Sequence, residues 1–231
     1  MRECSWLNAN GKLFISGGTS SDFRTSNEFL CYDNIDNSVK ILKNLHEARA
    51  QHSMVLHEKK IFICGGQNAK FTEIYDIENN ELTAKENINY TSVDNPILVI
   101  YDNFLYSFNG QKNGKYLEIL QRADIRRNNN LKWERINIKN PENLKINSIG
   151  CGIISFGSED IYMFGGKCEN GITNQSIKFN FEDMEYTDAE VPLQQGQWFK
   201  DSNFIELGSN TFGQFSLTDY DNFLKVNVQF A

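Results

Sequence analysis

Three histidines, His46, His52 and His57, fall within a dozen residues of one another, and imidazole is the commonest metal ligand. A metal needs ligands that converge. On a strand, His52 and His57 point to opposite faces, and no cysteine or carboxylate cluster joins them, so no metal centre is expected. Cys4, Cys31, Cys64, Cys151 and Cys168 are odd in number, widely spread and lack a C-x-x-C pair, which reads as reduced structural thiols. Neither G-x-S-x-G, nor a P-loop, nor G-x-G-x-x-G occurs, and no cofactor is expected. Carboxylates are plentiful. Asp33, Asp76, Asp102 and Asp160 nevertheless stand at expected turns, where Asp bonds the local backbone rather than moving a substrate proton.

Two groups of charge remain. Arg122, Arg126, Arg127, Lys132 and Arg135 surround Trp133, a basic patch with an aromatic of the kind that binds nucleic acid. Against that, the corresponding stretch further on, Glu182, Asp183, Glu185, Asp188 and Glu190, is acidic, so mutual complementation is the simpler expectation. The second group is Arg49 with His52 in RAQHSMVL. A net charge of −7 and a pI near 5.1 argue against a general nucleic-acid or anionic-membrane binder, since both surfaces repel an acidic protein. The first residues, MRECSWLNANGKLF, hold no signal-length apolar stretch, and the longest uncharged apolar run, Pro96 to Tyr101, is far too short to span a bilayer. A soluble cytoplasmic chain is the expectation.

The elements that position these residues are marked by glycine pairs. Gly17-Gly18, Gly65-Gly66, Asn109-Gly110 and Gly165-Gly166 lie 48, 44 and 56 residues apart, each closing an apolar run: LFISGG, IFICGG, FLYSFNG and IYMFGG. In these runs apolar residues do not alternate with polar ones, so both faces of each strand want burial. Glycine suits the point where the chain must leave the sheet with positive φ or close backbone approach, and Asn109 is the non-glycine best able to do the same. The predicted strands are Cys4–Asn8, Lys12–Ser16, Glu28–Asp33 and Val39–Lys43, then Gln51–His57, Lys60–Cys64, Thr72–Ile77 and Glu81–Lys85. A hairpin over Ile97–Gly110 turns at Tyr101-Asp102-Asn103, and an outer hairpin follows near Tyr116–Asp124 and Leu131–Ile136. Further strands are read in Ser148–Gly157, IYMFGG and the acidic hairpin around Phe181 to Tyr186. A degenerate last repeat spans Ser202–Ser216 and Phe223–Phe230.

An apolar strand closed by a glycine pair, a polar loop, then an aromatic residue near an acidic one resembles the kelch repeat, whose period is about 50 residues. The resemblance covers nearly the whole chain and implies an all-β kelch-type β-propeller, a single domain 1–231 of about five blade units, near 1–46, 47–90, 91–140, 141–192 and 193–231, the last incomplete. Either the ring has five blades with one open, or the chain is a piece of a larger propeller; an open blade leads us to expect poor stability or self-association. Trp133 matches the family's outer-strand tryptophan, and Arg49 its arginine before a first strand.

The family implies a non-enzymatic protein-binding module, an adaptor or substrate receptor. Its alternative is a small-molecule enzyme on the same fold, an oxidase or sugar-acid isomerase. In a propeller recognition falls to loops at the ends of the ring. The loops after the glycine pairs, Thr19 to Asn27, Gln67 to Lys70, Gln111 to Lys115 and Lys167 to Thr173, share an end with crossings such as Leu45 to Ala50. Arg24, Arg49, Gln67, Asn68, Lys112, Asn113 and Lys167 are the candidate contacts, with Lys70 and Lys115 adding positive charge, and an acidic peptide or protein segment is the expected ligand. Arg49 has a second reading, in which it bonds carbonyls between blades.

Overall fold

The computed structural model describes residues 2–67, 69–127, 130–140, 144, 148–156, 159–189, 202–208, 211–216 and 224–227. Asn68, Gly157, Glu190 and the ends of the Phe223–Phe230 stretch, all singled out from the sequence, lie outside the described residues. These form strands and turns, with no helix among them. The chain divides into two compact units, Met1–Ile136 and Asn137–Ala231.

The first unit opens with a four-stranded antiparallel sheet, β1 (Ser5–Ala9), β2 (Lys12–Ser16), β3 (Phe29–Asp33) and β4 (Ser38–Ile41). Repetition gives β5 (His52–His57), β6 (Lys60–Gly65), β7 (Phe71–Asp76) and β8 (Glu81–Ile88), then β9 (Ile97–Tyr101), β10 (Phe104–Phe108), β13 (Leu120–Asp124) and β14 (Leu131–Arg135), with a small hairpin, β11 (Gln111–Lys112) and β12 (Lys115–Tyr116), inserted. The innermost strands β1, β5 and β9 lie side by side. Strand β6 shows why the sheets stack. Its Ile61 and Ile63 enter a core with Phe14, Phe29, Leu45 and Tyr75, while Phe62 and Cys64 enter a second core with Leu98, Leu105, Leu131 and Trp133. Both faces of one strand are thus covered, as its unbroken apolar sequence requires.

The turns follow local chemistry. Asp33 and Asp76 accept backbone N–H bonds from Ile35 (3.0 Å) and from Glu78 and Asn79 (both 3.0 Å), and Asp102 and Asn103 turn the β9–β10 hairpin with φ of 43° and 61°. Asp160 differs: it begins a strand and pairs with Lys178 at 2.9 Å, because its register partner is Asn180 and Lys178 reaches back along the same face. Eight of the fourteen described non-glycine residues with positive φ are asparagine, so the chain's asparagine richness supplies left-handed corners.

The outer strands of the second and third repeats are joined, which the repeats do not predict. β8 runs on to Ile88 and pairs in parallel with β14 through Asn87–Leu131 and Ile88–Lys132, so that eight strands form one sheet. The Asn87 Oδ1 accepts bonds from Trp133 Nε1 (3.0 Å) and Thr72 Oγ1 (2.7 Å), and Tyr90 packs on the Trp133 ring at 4.5 Å. The buried outer-strand tryptophan therefore ties two repeats together.

The second unit repeats the pattern with β15 (Gly152–Phe156), β16 (Asp160–Phe164), β19 (Ser176–Asn180) and β20 (Glu185–Asp188), a small hairpin β17 (Lys167–Cys168) and β18 (Gly171–Ile172), and a three-stranded sheet β21 (Ser202–Gly208), β22 (Thr211–Ser216) and β23 (Leu224–Asn227). Here too the innermost strands, β15 and β21, are neighbours. Lys139 caps the outer edge of β20 through backbone bonds with Met184 and Tyr186, each 2.9 Å, which removes part of an unpaired strand edge.

Candidate functional site

The crossing from the first sheet to the second, Leu45–Ala50, is held by a carboxylate on β7. Glu73 is fully buried. It accepts bonds from the backbone N–H of His46 (2.7 Å), the His46 Nδ1 (2.9 Å) and the Arg49 Nη2 (2.8 Å). Arg49, 2% exposed, also reaches Glu47 (3.1 Å) and the Phe71 carbonyl (3.3 Å). Its guanidinium therefore grips an acid of its own chain, which differs from the expectation that it faces a partner. A buried guanidinium must be paired internally, and Glu73 supplies the charge. The sequence signal was Glu73 itself, a carboxylate between Thr72 and the apolar Ile74-Tyr75 in the interior of β7.

Next to this pair, His52 is buried with its Nε2 2.7 Å from Ser16 Oγ. Burial first, and then the Arg49 charge, push its pKa down to about 3, so it stays neutral. His46, His52 and His57 thus have separate structural places, and among the described residues no three His, Cys, Asp or Glu side chains gather as a metal site would need. The cysteines are free, and burial pushes the Cys151 thiol up to about 12, far from a reactive thiolate.

The glycine pairs are where crossings press on the sheets. A Cβ on Gly17 would stand 2.2 Å from the Arg49 carbonyl oxygen, and one on Gly65 2.4 Å from the Pro96 ring. Gly18 donates to the Arg49 carbonyl (2.8 Å) and Gly66 to that of Val93 (3.0 Å); Gly110 packs on Val93 and Gly166 on Ile149 in the same way, and Gly165 donates to the Gln175 carbonyl (2.9 Å). In the first unit, therefore, post-glycine loops and crossings share one end. There the starts of the three inner strands form a backbone chain, Gln51 N–H to the Glu3 carbonyl (3.0 Å) and Asn95 N–H to the Gln51 carbonyl (2.6 Å). All three take positive φ. Asp94 is half-buried beside them, its carboxyl raised to about 6 by burial and then by the Glu3 charge.

The loops place the candidate contacts as follows. Arg24 is exposed and ion-paired with Asp22 in its own loop. Gln67 is exposed. Lys112 and Asn113 stand exposed on the β11–β12 hairpin, whose Asn113-Gly114 turn has φ of 51° and 75°; that Asn-Gly dipeptide was a hairpin signal in a stretch read as loop. Hydrogen bonds between Asp94 and Gln111 in both directions (2.7 and 2.8 Å) tie the hairpin to the third inner strand. Arg24, Gln67, Lys112 and Asn113 are therefore brought to one end of the first unit. Lys167 belongs to the second unit, half-buried in β17, with its backbone bonded to Ile149. A recess of about 340 Å³, lined by Arg2, Glu3, Thr19, Ser20, Ser21 and Phe23, opens beside the first loop.

A sequence-family model described as the KLHDC2/KLHL20/DRC7 Kelch-repeats domain matches residues 3–199. The chain belongs to the kelch-repeat family. No curated protein matches the sequence. As a kelch protein it has the all-β propeller fold, and its four-stranded sheets are the blades; β21–β23 lie beyond the matched residues. Kelch blades also explain the basic outer hairpin. Arg122 pairs with Glu134 (2.6 Å) and lies 4.6 Å over the Phe104 ring, and Arg126 pairs with Asp124 (2.9 Å). These charges are met within their own blade, where the sequence suggested an acidic neighbour: strand register sets Arg122 directly opposite Glu134, and Arg126 bonds Asp124 two residues back in the turn that follows β13.

Proposed function

We propose that this kelch domain is a non-enzymatic protein-binding module, an adaptor or substrate receptor that takes an acidic peptide or protein segment on its loop end. The observation that carries this reading is the convergence of exposed Arg24, Gln67, Lys112 and Asn113 at one end of the first unit, on a chain whose net charge is −7. Cationic loops on an acidic body favour an acidic ligand there and repel it elsewhere. Lys167, in the fourth repeat, is a separate candidate contact of the second unit. Arg49 supports the site from beneath, by fixing the crossing against Glu73.

The test is affinity capture by the full chain, read by mass spectrometry, against a variant carrying Arg24→Glu, Lys112→Glu and Lys167→Glu. Loss of capture with an unchanged melting temperature is expected. Capture that survives the reversal, or a chain that binds a stoichiometric metal and no protein, overturns the reading.

A further inference from the structure

Phe23 is the most anomalous residue of the loop end. It has φ of 61°, in the left-handed region where bulky side chains are strained, and the corresponding conformation elsewhere in the chain is mostly left to asparagine. Its ring is 83% exposed. Nothing in the fold asks for an aromatic there, yet the loop is built to hold one out. Ser20 N–H and Ser20 Oγ both donate to the Arg24 carbonyl (2.9 Å each), the Arg24 N–H returns to Ser20 Oγ (3.2 Å), and Phe23 N–H donates to the Ser20 carbonyl (3.0 Å). Asp22 bonds both Ser20 and Arg24. Backbone strain held by such a staple, at an exposed aromatic, marks a site where shape serves recognition.

The recess beside the ring has mixed chemistry. Thr19, Ser20 and Ser21 line it with hydroxyl-bearing side chains, and Arg2 adds an exposed cation with no ion-pair partner among the described residues. The Glu3 carboxylate on its wall is engaged by Gln51 Nε2 (2.8 Å) and Thr19 Oγ1 (3.4 Å). A volume of about 340 Å³ is at the small end of ligand sites, enough for one or two side chains of an extended segment.

We propose that Phe23 and Arg2 form the two ends of a peptide-binding recess, which takes an extended partner segment with a bulky apolar residue packed on the Phe23 ring and a neighbouring carboxylate at the Arg2 guanidinium. Of the lining hydroxyls, those of Thr19 and Ser20 are held within the chain by Glu3, Asp22 and Arg24, and Ser21 is the one placed to face the segment's backbone. This rests on the loop end being the partner-binding end, and it names which loop anchors the partner and by what chemistry.

The test uses the full chain and fluorescein-labelled glycine-serine peptides with Leu-Glu, Phe-Asp, Leu-Ser or Leu-Lys at the centre, read by anisotropy. The acidic-apolar peptides are expected to bind best. Phe23→Asn should weaken them about tenfold while raising the melting temperature by about 2–4 °C, since asparagine relieves the strain. Phe23→Leu should retain part of the affinity, and Arg2→Glu should erase the preference for Leu-Glu over Leu-Ser. The proposal is overturned if no peptide of the set binds, if Phe23→Asn binds like the parent chain, or if that variant melts lower, which makes the ring a support of the fold. Partner capture that is lost on reversing Arg24, Lys112 and Lys167 but kept in Phe23→Asn sinks the recess and leaves the loop-end reading standing. Capture kept in both sinks the loop-end reading itself.

Discussion

The Arg49 Nη2 lies 2.8 Å from the Glu73 Oε1, with the two side chains 1% and 0% exposed. Removing one partner strands the other without water. Arg49→Met or Glu73→Leu alone should therefore cost about 3–5 kcal/mol, whereas the double substitution should recover much of the loss. Urea denaturation of the four proteins measures the cycle; additive losses would mean that the pair does not act as a unit.

Gly17 and Gly114 separate two costs of a left-handed glycine. Both have positive φ, 57° and 75°, but a Cβ on Gly17 would strike the Arg49 carbonyl while one on Gly114 meets nothing within 4 Å. Gly114→Ala should cost only the conformational penalty, about 1 kcal/mol. Gly17→Ala should cost about 3 kcal/mol or more, because the crossing must move. Equal losses in chemical denaturation would contradict the packing of crossing on glycine pair.

His52 and Asp94 give the stability opposite pH dependences. His52 is depressed from 6.5 to about 3, so the unfolded chain takes the proton first. Its contribution is whole above pH 6.5 and is lost as pH falls toward 3, at no more than about 1.4 kcal/mol per pH unit. Asp94 is raised from 3.8 to about 6, so its contribution is whole below about pH 4 and is lost as pH rises through 6. Between pH 4 and 6 the two oppose each other. Asp94→Asn should steepen the acid loss in that window and stabilise the protein at pH 7.5 by about 1 kcal/mol, discounted for partial solvent access. His52→Gln should leave a chain whose urea midpoint rises on acidification from 6 to 4. Identical midpoint profiles for parent and variants would refute this.

Trp133 joins two blades through one bond to Asn87. Trp133→Phe keeps an aromatic in the buried slot but leaves the Asn87 carbonyl with Thr72 alone, for a loss of about 1–2 kcal/mol. Hydrogen exchange should locate the effect, with faster exchange at the β8–β14 junction, Asn87 and Ile88, than in β5 or β6. Uniform acceleration across the sheet would show that the tryptophan supports only the core.

The sequence determined the repeat and most of its strands. Lys12–Ser16 forms as expected, and β6 differs from its predicted span by one residue, because an apolar run on both faces followed by a glycine pair admits few other local structures. It determined the turns too, since Asp33 and Asp76 bond backbone within three residues. What tertiary structure decided is which charges are spent inside. Arg24, Arg49 and Lys112 look alike as cations in polar segments. Arg49 is consumed by Glu73, 24 residues away, Arg24 is matched within its loop by Asp22, and Lys112 is left on an exposed hairpin. The joining of β8 to β14 and the exposure of Phe23 were equally closed to the sequence. Each depends on how chain segments that are distant in order, or a backbone angle that no side chain favours, are held by the rest of the fold, and pairing energies between such segments have no local signature.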